Sequence, residues 1–566
     1  MNTASAQEGS SLTIPNLRAE HELLLLCSRV SIDSGVATRI QQLAQPSIDW
    51  NALLLAASRN HVLGLVSQRL QTTCPDAIPA SALEFLRDCS RKTAERNHYL
   101  TGELKRVCAL FRANGLSALP FGECLLAAVA YQDPSVPDAK NLEFVVAPRD
   151  ILHARDLLIA DGYRREYTWD AAREAAEVRF RRTIGLDRSK DGIHVWLFRD
   201  IDPGSYSRPL KLTSLGTSNI FLNGESIATL AAEDALLHAC VHAAGPALSP
   251  HLSSISDTVR LAAGLSADSW QRFLDRAVAL GVARKAFVIL AAARNLLGAP
   301  YPEAIESRMR SDRMVKKLSR HAVGGIFSDT DYVPGMRKRT ALQLAARERP
   351  VDKARFLAHL MAVPTREDWA LMPLPSFLYY LLRPLRMLGR RVGLFRPQRL
   401  AVFMPTPIEI VEEMLALAEV GPSDIIYDLG CGDGRIVICA AQRYGSRGVG
   451  VDLDPDRVAE ARASARAAGV DHLVAFSQQN VLEVDISSAS VVSLFLSPQA
   501  NLMLRPKLTQ ELPPHARIVS RSHDMGDWTP LKTKLVACDG ALSRIHLWRL
   551  DGKAKPFPST EGPSNR

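Results

Sequence analysis

The sequence has no Cys-x-x-Cys pair, no long apolar run and no tract of low complexity. Its nine cysteines are scattered and odd in number, which argues against a disulfide framework or a zinc knuckle and favours a reducing compartment. The polar start "MNTASAQEGSSLTIPNLRAE" carries acidic residues and lacks the apolar core of a secretory signal. The apolar runs are too short and too interrupted to cross a bilayer. We therefore expect a cytoplasmic protein.

The composition is typical of a globular protein with more than one domain. Of the 566 residues, 47% are apolar and 23% are charged, which argues against a disordered chain. A chain of this length exceeds what one hydrophobic core organises, so two or three domains are expected. The formal net charge of +9 is a modest excess, which permits an acidic partner or an anionic membrane surface without requiring either.

The spacing of apolar residues changes along the chain. Spacings of three and four predict helices through most of the first 345 residues, interrupted by a short α/β segment with strands at "NLEFVVAP" and "GIHVWLFRD". From residue 405 strands and helices alternate, which is typical of a parallel sheet covered by helices. The predicted organisation is a disordered N-terminus over 1–20, a helix-rich α+β domain over 21–345, a Pro- and Arg-rich arm over 346–402, an α/β domain over 403–551 and a disordered tail over 552–566.

The last part of the arm, "MPLPSFLYYLLRPLRMLGRRVGLFRPQR", contains six arginines interleaved with apolar residues. A basic amphipathic segment of this kind can contact anionic lipid at a membrane surface. It can equally be a linker that packs its apolar side on a neighbouring domain, and the sequence leaves both interpretations open. The arginines are Arg383, Arg386, Arg390, Arg391, Arg396 and Arg399.

The α/β domain begins with a helix-start signal. Thr406 is predicted as the N-cap, Pro407 as the first helical residue and Glu409 as the partner in a capping box. Five strands are then predicted, with helices after the first, second and fourth of them. Their sequences are "DIIYDLG", "RGVGVDLD", "HLVAFSQQN", "ASVVSLFLS" and "ARIVSRS".

The first of these strands runs into "YDLGCGDGR", residues 427–435, a glycine-rich turn that opens a helix. Such turns bind nucleotides because bare backbone approaches the ligand closely. A dinucleotide fingerprint needs its third glycine at position 435, where Arg435 stands, and a phosphate-binding loop needs Gly-Lys-Ser/Thr, which is absent. Asp428 would repel a pyrophosphate but suits a ligand with an ammonium group and a cationic sulfur. The turn therefore favours S-adenosylmethionine, with a dinucleotide as the alternative.

Two further strand ends complete the predicted cofactor site. Asp452 ends the second strand, where a carboxylate can accept hydrogen bonds from both ribose hydroxyls. Asn480 ends the third strand, near the expected position of the adenine amino group. The residues predicted to bind the cofactor are Thr406, Pro407, Asp428, Gly430, Cys431, Gly432, Asp433, Gly434, Asp452, Leu453, Asn480 and Val481.

The run from "PTPIEIVEEMLALAEV" through this turn, with "SVVSLFLSPQANLMLRPKL" and "RIVSRSHDMGDW", resembles the class I methyltransferases related to the lysine methyltransferases of ATP synthase c-subunit and adenine nucleotide translocase. The resemblance covers about residues 403–550. It implies a Rossmann-like α/β sheet of seven strands, S-adenosylmethionine as cofactor and a protein lysine as methyl acceptor. No nucleic acid is expected as a partner. A small-molecule acceptor and a silent cofactor-binding scaffold are the alternatives.

The resemblance also places the acceptor beside the fourth strand. Where the family tends to have an aromatic-Leu-Leu-Pro run, this chain has Phe495, Leu496, Ser497 and Pro498. Phe495, Ser497 and Pro498 are therefore expected to line the acceptor side, with ordinary sheet packing as the alternative for Phe495. His523 and Asp524 follow the fifth strand and are expected either to assist proton loss from the amine or to be solvated loop residues.

The segment "GLSALPFGECLLAAVAYQDPSVPDAKNLEFVVAPRDILHARDLLIADGY" resembles an uncharacterised bacterial nucleotidyltransferase-like family, over about residues 20–398. That family has a lysine before the glycine, an arginine after the helix and an Asp-x-Asp strand. This chain has Phe121 before Gly122, Pro137 for the arginine, and Asn141-Leu142-Glu143 for the Asp-x-Asp. Two divalent ions need paired carboxylates, so the departures predict a degenerate site used for binding or scaffolding. The alternative is a bifunctional protein whose nucleotidyltransferase domain is active.

A pair of histidines raises the question of a metal. His238 and His242 share a helix face, but the zinc-protease spacing would need glutamate at 239, where alanine stands. The sequence therefore predicts packed or capping histidines and no metal site.

Overall fold

The computed structural model describes residues 17–45, 47–131, 133–165, 183–188, 192–199, 215–222, 224–327, 335–363, 404–538 and 541–550. The chain divides into two compact units, Met1–Val392 and Gly393–Arg566. Each unit has its own sheet and its own hydrophobic core.

Helices make up most of the first unit. Their buried residues follow the three-to-four spacing seen in the sequence; one helix, for example, buries Trp270, Phe273, Leu274 and Ala277. The helices are α1 (Ala19–Cys27), α2 (Ser34–Leu43), α3 (Trp50–Arg59), α4 (Leu63–Thr73), α5 (Ala80–Ala113), α6 (Glu123–Leu126), α7 (Ile151–Ala160), α8 (Ala232–Ala243), α9 (Leu252–Ala263), α10 (Ala267–Leu280), α11 (Ala283–Leu297), α12 (Glu303–Ser311), α13 (Arg313–Ile326), α14 (Met336–Ala345) and α15 (Pro350–Ala362).

The first unit also holds a five-stranded sheet in the order β1-β2-β5-β4-β3. Strands β2 and β5 are parallel, the other neighbours are antiparallel, and the two predicted strands coincide with β2 and β5. Strands β6 and β7 form a separate hairpin. The strands are β1 (Ala118–Phe121), β2 (Asn141–Val146), β3 (Arg164–Arg165), β4 (Thr183–Arg188), β5 (Ile193–Phe198), β6 (Thr217–Leu222) and β7 (Glu225–Leu230).

Helices of the structure overlap two of the segments that were predicted to be non-globular. Helix α1 begins at Ala19, so the last two residues of the predicted disordered N-terminus are helical. Helix α15 occupies much of the predicted arm before residue 363. Two predicted features lie outside the described residues: the six arginines between positions 383 and 399, and the tail over 552–566. The domain boundaries themselves stay predictions.

The second unit is built on a seven-stranded sheet in the order β10-β9-β8-β11-β12-β14-β13. Strands β8 to β12 are parallel, and β14 runs antiparallel to both β12 and β13. The five strands predicted from the sequence coincide with β8 to β12, whereas β13 and β14 had no predicted counterpart. The strands are β8 (Ile425–Leu429), β9 (Arg447–Asp452), β10 (Val474–Gln478), β11 (Val491–Leu494), β12 (Arg517–Arg521), β13 (Lys532–Cys538) and β14 (Ala541–Arg549).

Helices cover both faces of this sheet. Apolar residues of α16 (Ile408–Leu417), α17 (Arg435–Tyr444) and α18 (Pro455–Ala467) share one core with the sheet. Those of α19 (Pro498–Glu511) belong to a second core cluster. The predicted α/β class is therefore confirmed. Among the described helices, none combines the length and apolarity needed to span a bilayer.

The predicted start of α16 is wrong by one residue. Pro407, with φ −52° and ψ 145°, is the N-cap, because its backbone is extended and its carbonyl accepts the first helical bonds from Ile410 and Val411. Thr406 lies before the cap, and no side chain caps this helix end. The predicted capping box from Thr406 to Glu409 therefore does not form.

Candidate cofactor and acceptor site

The glycine turn after β8 is folded tightly over β9. The backbone N–H groups of Gly430 and Cys431 both donate to the carbonyl of Val451, at 2.8 and 3.0 Å. Gly430, Gly432 and Gly434 all have positive φ, at 92°, 52° and 80°, a region that other residues enter only with strain. Gly434 is the N-cap of α17, so the turn leads directly into a helix start.

Two of these glycines make room for the protein's own side chains. A Cβ atom on Gly430 would lie 2.8 Å from Leu496 Cδ2, and one on Gly434 would lie 2.6 Å from Phe476 Cε1. We expected the glycines to clear space for a ligand. On the Cβ side of these two residues the space instead serves packing between the turn and its neighbours.

Asp428 lies beneath the turn and is almost completely buried. Its Oδ1 accepts a hydrogen bond of 2.7 Å from Ser493 Oγ on β11. Burial raises the pKa of Asp428 to about 7 against this hydrogen bond, and the negative charges of Asp452 and Asp433 raise it further. Three carboxyl groups therefore repel one another around the turn.

Asp452, at the end of β9, is oriented by backbone donors. Its Oδ2 accepts from the N–H of Gly432 at 2.9 Å, and its Oδ1 accepts from the N–H of Asp454 at 3.0 Å. The side chain thus holds the second glycine of the turn in place. Each oxygen has a second lone pair with which to accept from a hydroxyl group.

Asp433 has a partner that the sequence did not reveal. Arg435 binds its carboxylate through Nε, at 2.9 Å to Oδ1, and through Nη2, at 2.5 Å to Oδ2. The Nη1 atom of Arg435 donates to the carbonyl of Thr406 at 2.8 Å. Arg435 therefore ties the turn to the buried Thr406 and the start of α16 at Pro407.

The remaining predicted cofactor residues lie on the neighbouring strand ends. Leu453 follows β9 and is half-buried, and Asn480 and the buried Val481 follow β10. The Asn480 amide is used locally, because Oδ1 accepts from the N–H of Leu482 at 3.1 Å and Nδ2 donates to Glu483 Oε1 at 3.2 Å. The adjacent ends of β8, β9 and β10 thus bring the predicted set to one edge of the sheet.

These residues fit a cationic nucleoside better than a polyphosphate. Burial first, and after it the repulsion from Asp452 and Asp433, disfavours the ionised form of Asp428 and raises its pKa. A bound ammonium or sulfonium group would relieve that repulsion, whereas a phosphate would increase it. The donor set therefore suits S-adenosylmethionine.

The predicted acceptor residues follow β11, next to the turn. Phe495 is half-buried, and the guanidinium carbon of Arg521, at the end of β12, lies 4.3 Å from the centre of its ring. This stacking was not predicted, because Arg521 is far from Phe495 in the chain. It extends the predicted acceptor side from β11 to β12.

Ser497 and Pro498 begin helix α19. Ser497 is its N-cap, with Oγ accepting from the N–H of Ala500 at 3.2 Å, and Pro498 occupies the first helical position. The serine that departs from the family pattern therefore has a structural task.

The loop after β12 holds the two predicted proton-transfer residues. Asp524 is exposed, and its Oδ1 accepts from the N–H of Gly526 at 3.0 Å. The carbonyls of His523 and Asp524 accept from Nδ2 of the fully buried Asn501, at 3.3 and 3.2 Å. Asn501 was not singled out in the sequence, because an asparagine inside a helix carries no motif.

The first unit contains a cavity of about 190 Å³. Glu123, Asp138, Lys140, His242 and Asp257 lie on its wall among other residues. Lys140 Nζ lies 3.2 Å from Asp138 Oδ2. Burial raises the pKa of Asp257 to about 7, against a hydrogen bond from Tyr131, and burial also raises the pKa of Glu123. The wall is thus polar and rich in carboxyl groups.

Glu143, the acidic residue of the Asn141-Leu142-Glu143 segment, lies directly over Gly122. A Cβ atom on Gly122, which has φ 84°, would overlap the Glu143 carboxyl group. Burial, followed by the charge of Glu123, raises the pKa of Glu143 to about 8. In the absence of a cation this group is therefore mostly protonated at neutral pH.

The two histidines of α8 are packed against aromatic rings. His238 is buried with its ring 4.7 Å from that of Phe121, and it stacks on His242 at 5.7 Å. Within the described ranges, no group of three or more His, Cys, Asp or Glu side chains is arranged to hold a metal ion.

Two family descriptions match the chain. Residues 46–298 match the family described as "Uncharacterised nucleotidyltransferase". Residues 428–532 match the family described as "ANTKMT methyltransferase domain".

Curated relatives match the second unit. A protein-lysine N-methyltransferase of Saccharolobus islandicus is 44% identical over 129 residues, which are 23% of this chain and 80% of the relative. The adenine nucleotide translocase lysine N-methyltransferase of Mus musculus is 34% identical over 164 residues, or 29% of this chain and 64% of the relative. The chain thus spans four fifths of the archaeal relative and less than two thirds of the mouse one.

A solved structure also matches, that of an RNA methyltransferase from Salinibacter ruber in complex with S-adenosyl-L-homocysteine. It is 45% identical, covers 27% of this chain and 98% of its own, and has a TM-score of 0.26. By its likeness to the archaeal relative over most of that protein's length, the chain belongs to the methyltransferase family that includes these lysine N-methyltransferases, and it is an S-adenosylmethionine-dependent methyltransferase.

Proposed function

We propose that the protein methylates the side-chain amine of a lysine in a protein substrate. The observation that carries the proposal is the 44% identity to an archaeal protein-lysine N-methyltransferase over 80% of that relative. The seven-stranded sheet of residues 403–551 is, in this proposal, a Rossmann-like methyltransferase domain. The cofactor lies along the ends of β8, β9 and β10, and the acceptor amine approaches from the ends of β11 and β12.

Each side chain of the cofactor edge has a task in this proposal. Asp428, once ionised, faces the positive charges of the cofactor, and Asp452 accepts from its ribose hydroxyls. Leu453, Asn480 and Val481 line the adenine. The glycines and Cys431 shape the turn. Asp433, Arg435, Thr406 and Pro407 close the site through the contacts between the turn and the start of α16.

Bound S-adenosylmethionine supplies an electrophilic methyl group on a positively charged sulfur. The protein's contribution is alignment of the acceptor amine, exclusion of water and a neutral amine. Phe495, Ser497 and Pro498 line the acceptor side, where Ser497 acts by capping α19 rather than as a base. Approximation of the reactants can supply most of the acceleration, so no dedicated base is required.

The first unit is, in this proposal, a degenerate nucleotidyltransferase-like domain that binds or presents a partner. The predicted bounds of 21–345 for this domain and 346–402 for the arm are part of the proposal, as is a cytoplasmic location. The crowding of Glu143 over Gly122 supports the loss of nucleotidyl transfer, because a phosphate would meet a carboxyl group there.

The test is a labelling experiment with the full-length protein. Lysate from a strain lacking the gene is incubated with the protein and S-adenosylmethionine carrying a radiolabelled methyl group. Label in protein that yields Nε-methyllysine after acid hydrolysis supports the proposal, and the Asp452→Ala variant, assayed at a limiting concentration of S-adenosylmethionine, is the control in which labelling should be reduced. Label only in small molecules or in RNA would contradict it.

A further inference from the structure

The ends of three neighbouring strands form one row beside the cofactor turn. In the sheet register Leu429 of β8 pairs with Leu494 of β11, and Leu494 pairs with Ser520 of β12. The next residues along each chain segment therefore continue this row: Gly430 and Phe495 directly after β8 and β11, and Arg521 as the last residue of β12. With strands about 4.8 Å apart, Phe495 is one strand from the cofactor turn and Arg521 is two strands away.

Arg521 is held in this row by its own contacts. Its guanidinium carbon stacks over the Phe495 ring at 4.3 Å, and its Nε and Nη1 atoms are buried. A charge that is shielded from water exerts a stronger field on its neighbours than a solvated one. The guanidinium is also permanently charged at any working pH.

The backbone after Arg521 is fixed in a strained turn. Ser522 has φ 65°, and its N–H donates to the carbonyl of Arg544 at 2.7 Å. The carbonyl of His523 accepts from Ser520 Oγ at 2.7 Å and from Asn501 Nδ2 at 3.3 Å. Strained turns that are held this firmly cluster at functional sites, so the position of Arg521 is maintained at some cost to the fold.

We propose that Arg521, stacked on Phe495 beside the cofactor turn, is a specificity-determining residue that keeps the acceptor amine in its neutral, nucleophilic form. The inference rests on the proposed function. In methyl transfer the nitrogen lone pair forms the N–C bond, the C–S bond breaks with its electron pair going to sulfur, and the amine proton passes to water. An ammonium group has no lone pair for this step.

Two effects of Arg521 disfavour the ammonium form. A fixed positive charge beside the acceptor repels a second one, which lowers the pKa of the amine. The guanidinium also covers one face of the Phe495 ring, so a lysine ammonium cannot use that face for a cation–π contact. The acceptor side therefore admits a neutral amine more readily than a cation.

Among the described residues, other charged groups also lie at this edge of the sheet and contribute to the electric field at Phe495. They are Asp428 on β8, His523 and Asp524 in the loop after Arg521, and Arg544 on β14. A test must therefore report the net field at Phe495 and the share of it that Arg521 contributes.

The test uses a thiol introduced by Phe495→Cys in the full-length protein. A nearby cation favours the thiolate, so at pH 7 alkylation by iodoacetamide should be about tenfold slower when Arg521→Gln is added, the equivalent of about one pKa unit. Arg521→Lys should stay within about threefold of the Phe495→Cys parent, because it keeps the charge. Mass spectrometry of the labelled peptide separates this thiol from the native ones, and titration of S-adenosylmethionine shows that each variant is folded.

The matched control is Arg549→Gln, which removes an exposed arginine from β14 at the opposite end of the sheet. It should leave the alkylation rate unchanged. A second measurement needs no change at Arg521: the introduced thiol should react at least tenfold faster with an anionic methanethiosulfonate than with a cationic one, relative to free cysteine. Equal alkylation rates with and without Arg521, or no preference for the anionic reagent, would overturn the inference.

The acceptor protein identified by the labelling experiment can serve as the substrate in a kinetic assay of the variants. Arg521→Gln should lower kcat at pH 7 by about tenfold with an unchanged KM for S-adenosylmethionine, and Arg521→Lys should restore it. A raised KM for the acceptor with unchanged kcat would instead mean that Arg521 binds an acceptor carboxylate, which contradicts the inference. Because the thiol assay needs no methyl transfer, failure of this inference is distinguishable from failure of the proposed function.

Discussion

The two units each contain a strand that runs into a glycine turn and a helix, yet the two turns carry their charge differently. At the second unit's turn, the space beside Gly430 and Gly434 is filled by the apolar side chains of Leu496 and Phe476. At the first unit's turn, the space beside Gly122 is filled by the carboxyl group of Glu143.

The carboxyl groups at the two turns also differ in the groups that surround them. Asp452 is oriented by two backbone N–H groups, one bonded to each oxygen of its side chain. Burial, and after it the like charge of Glu123, raises the pKa of Glu143 to about 8, so the neutral acid is its main form at pH 7. The acids at the two turns thus differ in their partners: backbone N–H groups orient Asp452, whereas Glu143 lies near a second acid.

The largest effect is expected from closing the space beside Gly434. Gly434→Ala should lower the free energy of unfolding by about 3 kcal/mol, for two reasons. Alanine is strained at this positive φ, and its Cβ would overlap with Phe476 and Ala461. Affinity for S-adenosylmethionine should fall on the order of 100-fold. The control is Gly469→Ala, at φ 71° with no atom within 4 Å of the new Cβ, which should cost only about 1–2 kcal/mol.

Calorimetric titration measures the affinity of both variants for S-adenosylmethionine. Denaturant unfolding, followed by the loss of S-adenosylmethionine binding, measures their stability. If the two alanines proved equally costly, the strained backbone alone would explain the glycines and the packing of Phe476 would be irrelevant.

A smaller effect is expected at Asp452, the carboxylate proposed to bind the ribose hydroxyls. Asp452→Ala removes the acceptor for the Gly432 N–H and for the proposed ribose hydroxyls, so affinity for S-adenosylmethionine should fall roughly 30-fold, about 2 kcal/mol. Asp456→Ala, at an exposed carboxylate four residues later, serves as the control and should change affinity less than twofold. Unchanged calorimetric affinity in Asp452→Ala would refute the ribose assignment.

The third expectation concerns pH. The pKa of Asp428 is raised to about 7, and a cationic ligand favours the ionised carboxylate. Affinity for S-adenosylmethionine should therefore rise as pH rises toward 7, by up to about tenfold per unit, and be lost as pH falls. Asp428→Asn should flatten this profile. A wild-type profile that is flat between pH 5.5 and 7 would show that Asp428 does not face the ligand's charge.

Much of this comparison was visible in the sequence. Strands β8 to β12 were predictable because each is a short, largely apolar run, and helices follow β8, β9 and β11. The hairpin β13–β14 was not, because polar residues such as Lys532, Thr533 and Lys534 mask the alternation of an edge strand. The glycine turn indicated the cofactor correctly because its spacing disfavours a dinucleotide and a phosphate-binding loop, and because Asp428 suits a cationic ligand.

What the sequence did not reveal depends on register between distant segments. Phe121 pairs with Glu143 across β1 and β2, and this pairing is what brings the carboxyl group over Gly122. The stacking of Arg521 on Phe495 likewise needs the alignment of β11 with β12. Periodicity within one segment cannot encode such alignments, since each strand's own pattern is the same in every register.

The smallest effect is expected at Glu143. With a pKa of about 8 the carboxyl group is mostly protonated at pH 7, so Glu143→Gln replaces a neutral acid with a neutral amide of nearly the same shape. Methyl transfer should stay within about twofold of wild type, because a near-isosteric neutral change removes no charge and little packing. Glu95→Gln, at an exposed glutamate of α5, is the matched control. Both variants and the wild type should leave ATP intact in the presence of magnesium. Magnesium-dependent consumption of ATP by the wild type that disappears in Glu143→Gln would mean that this acid still binds metal, and the contrast between the two glycine turns would fail.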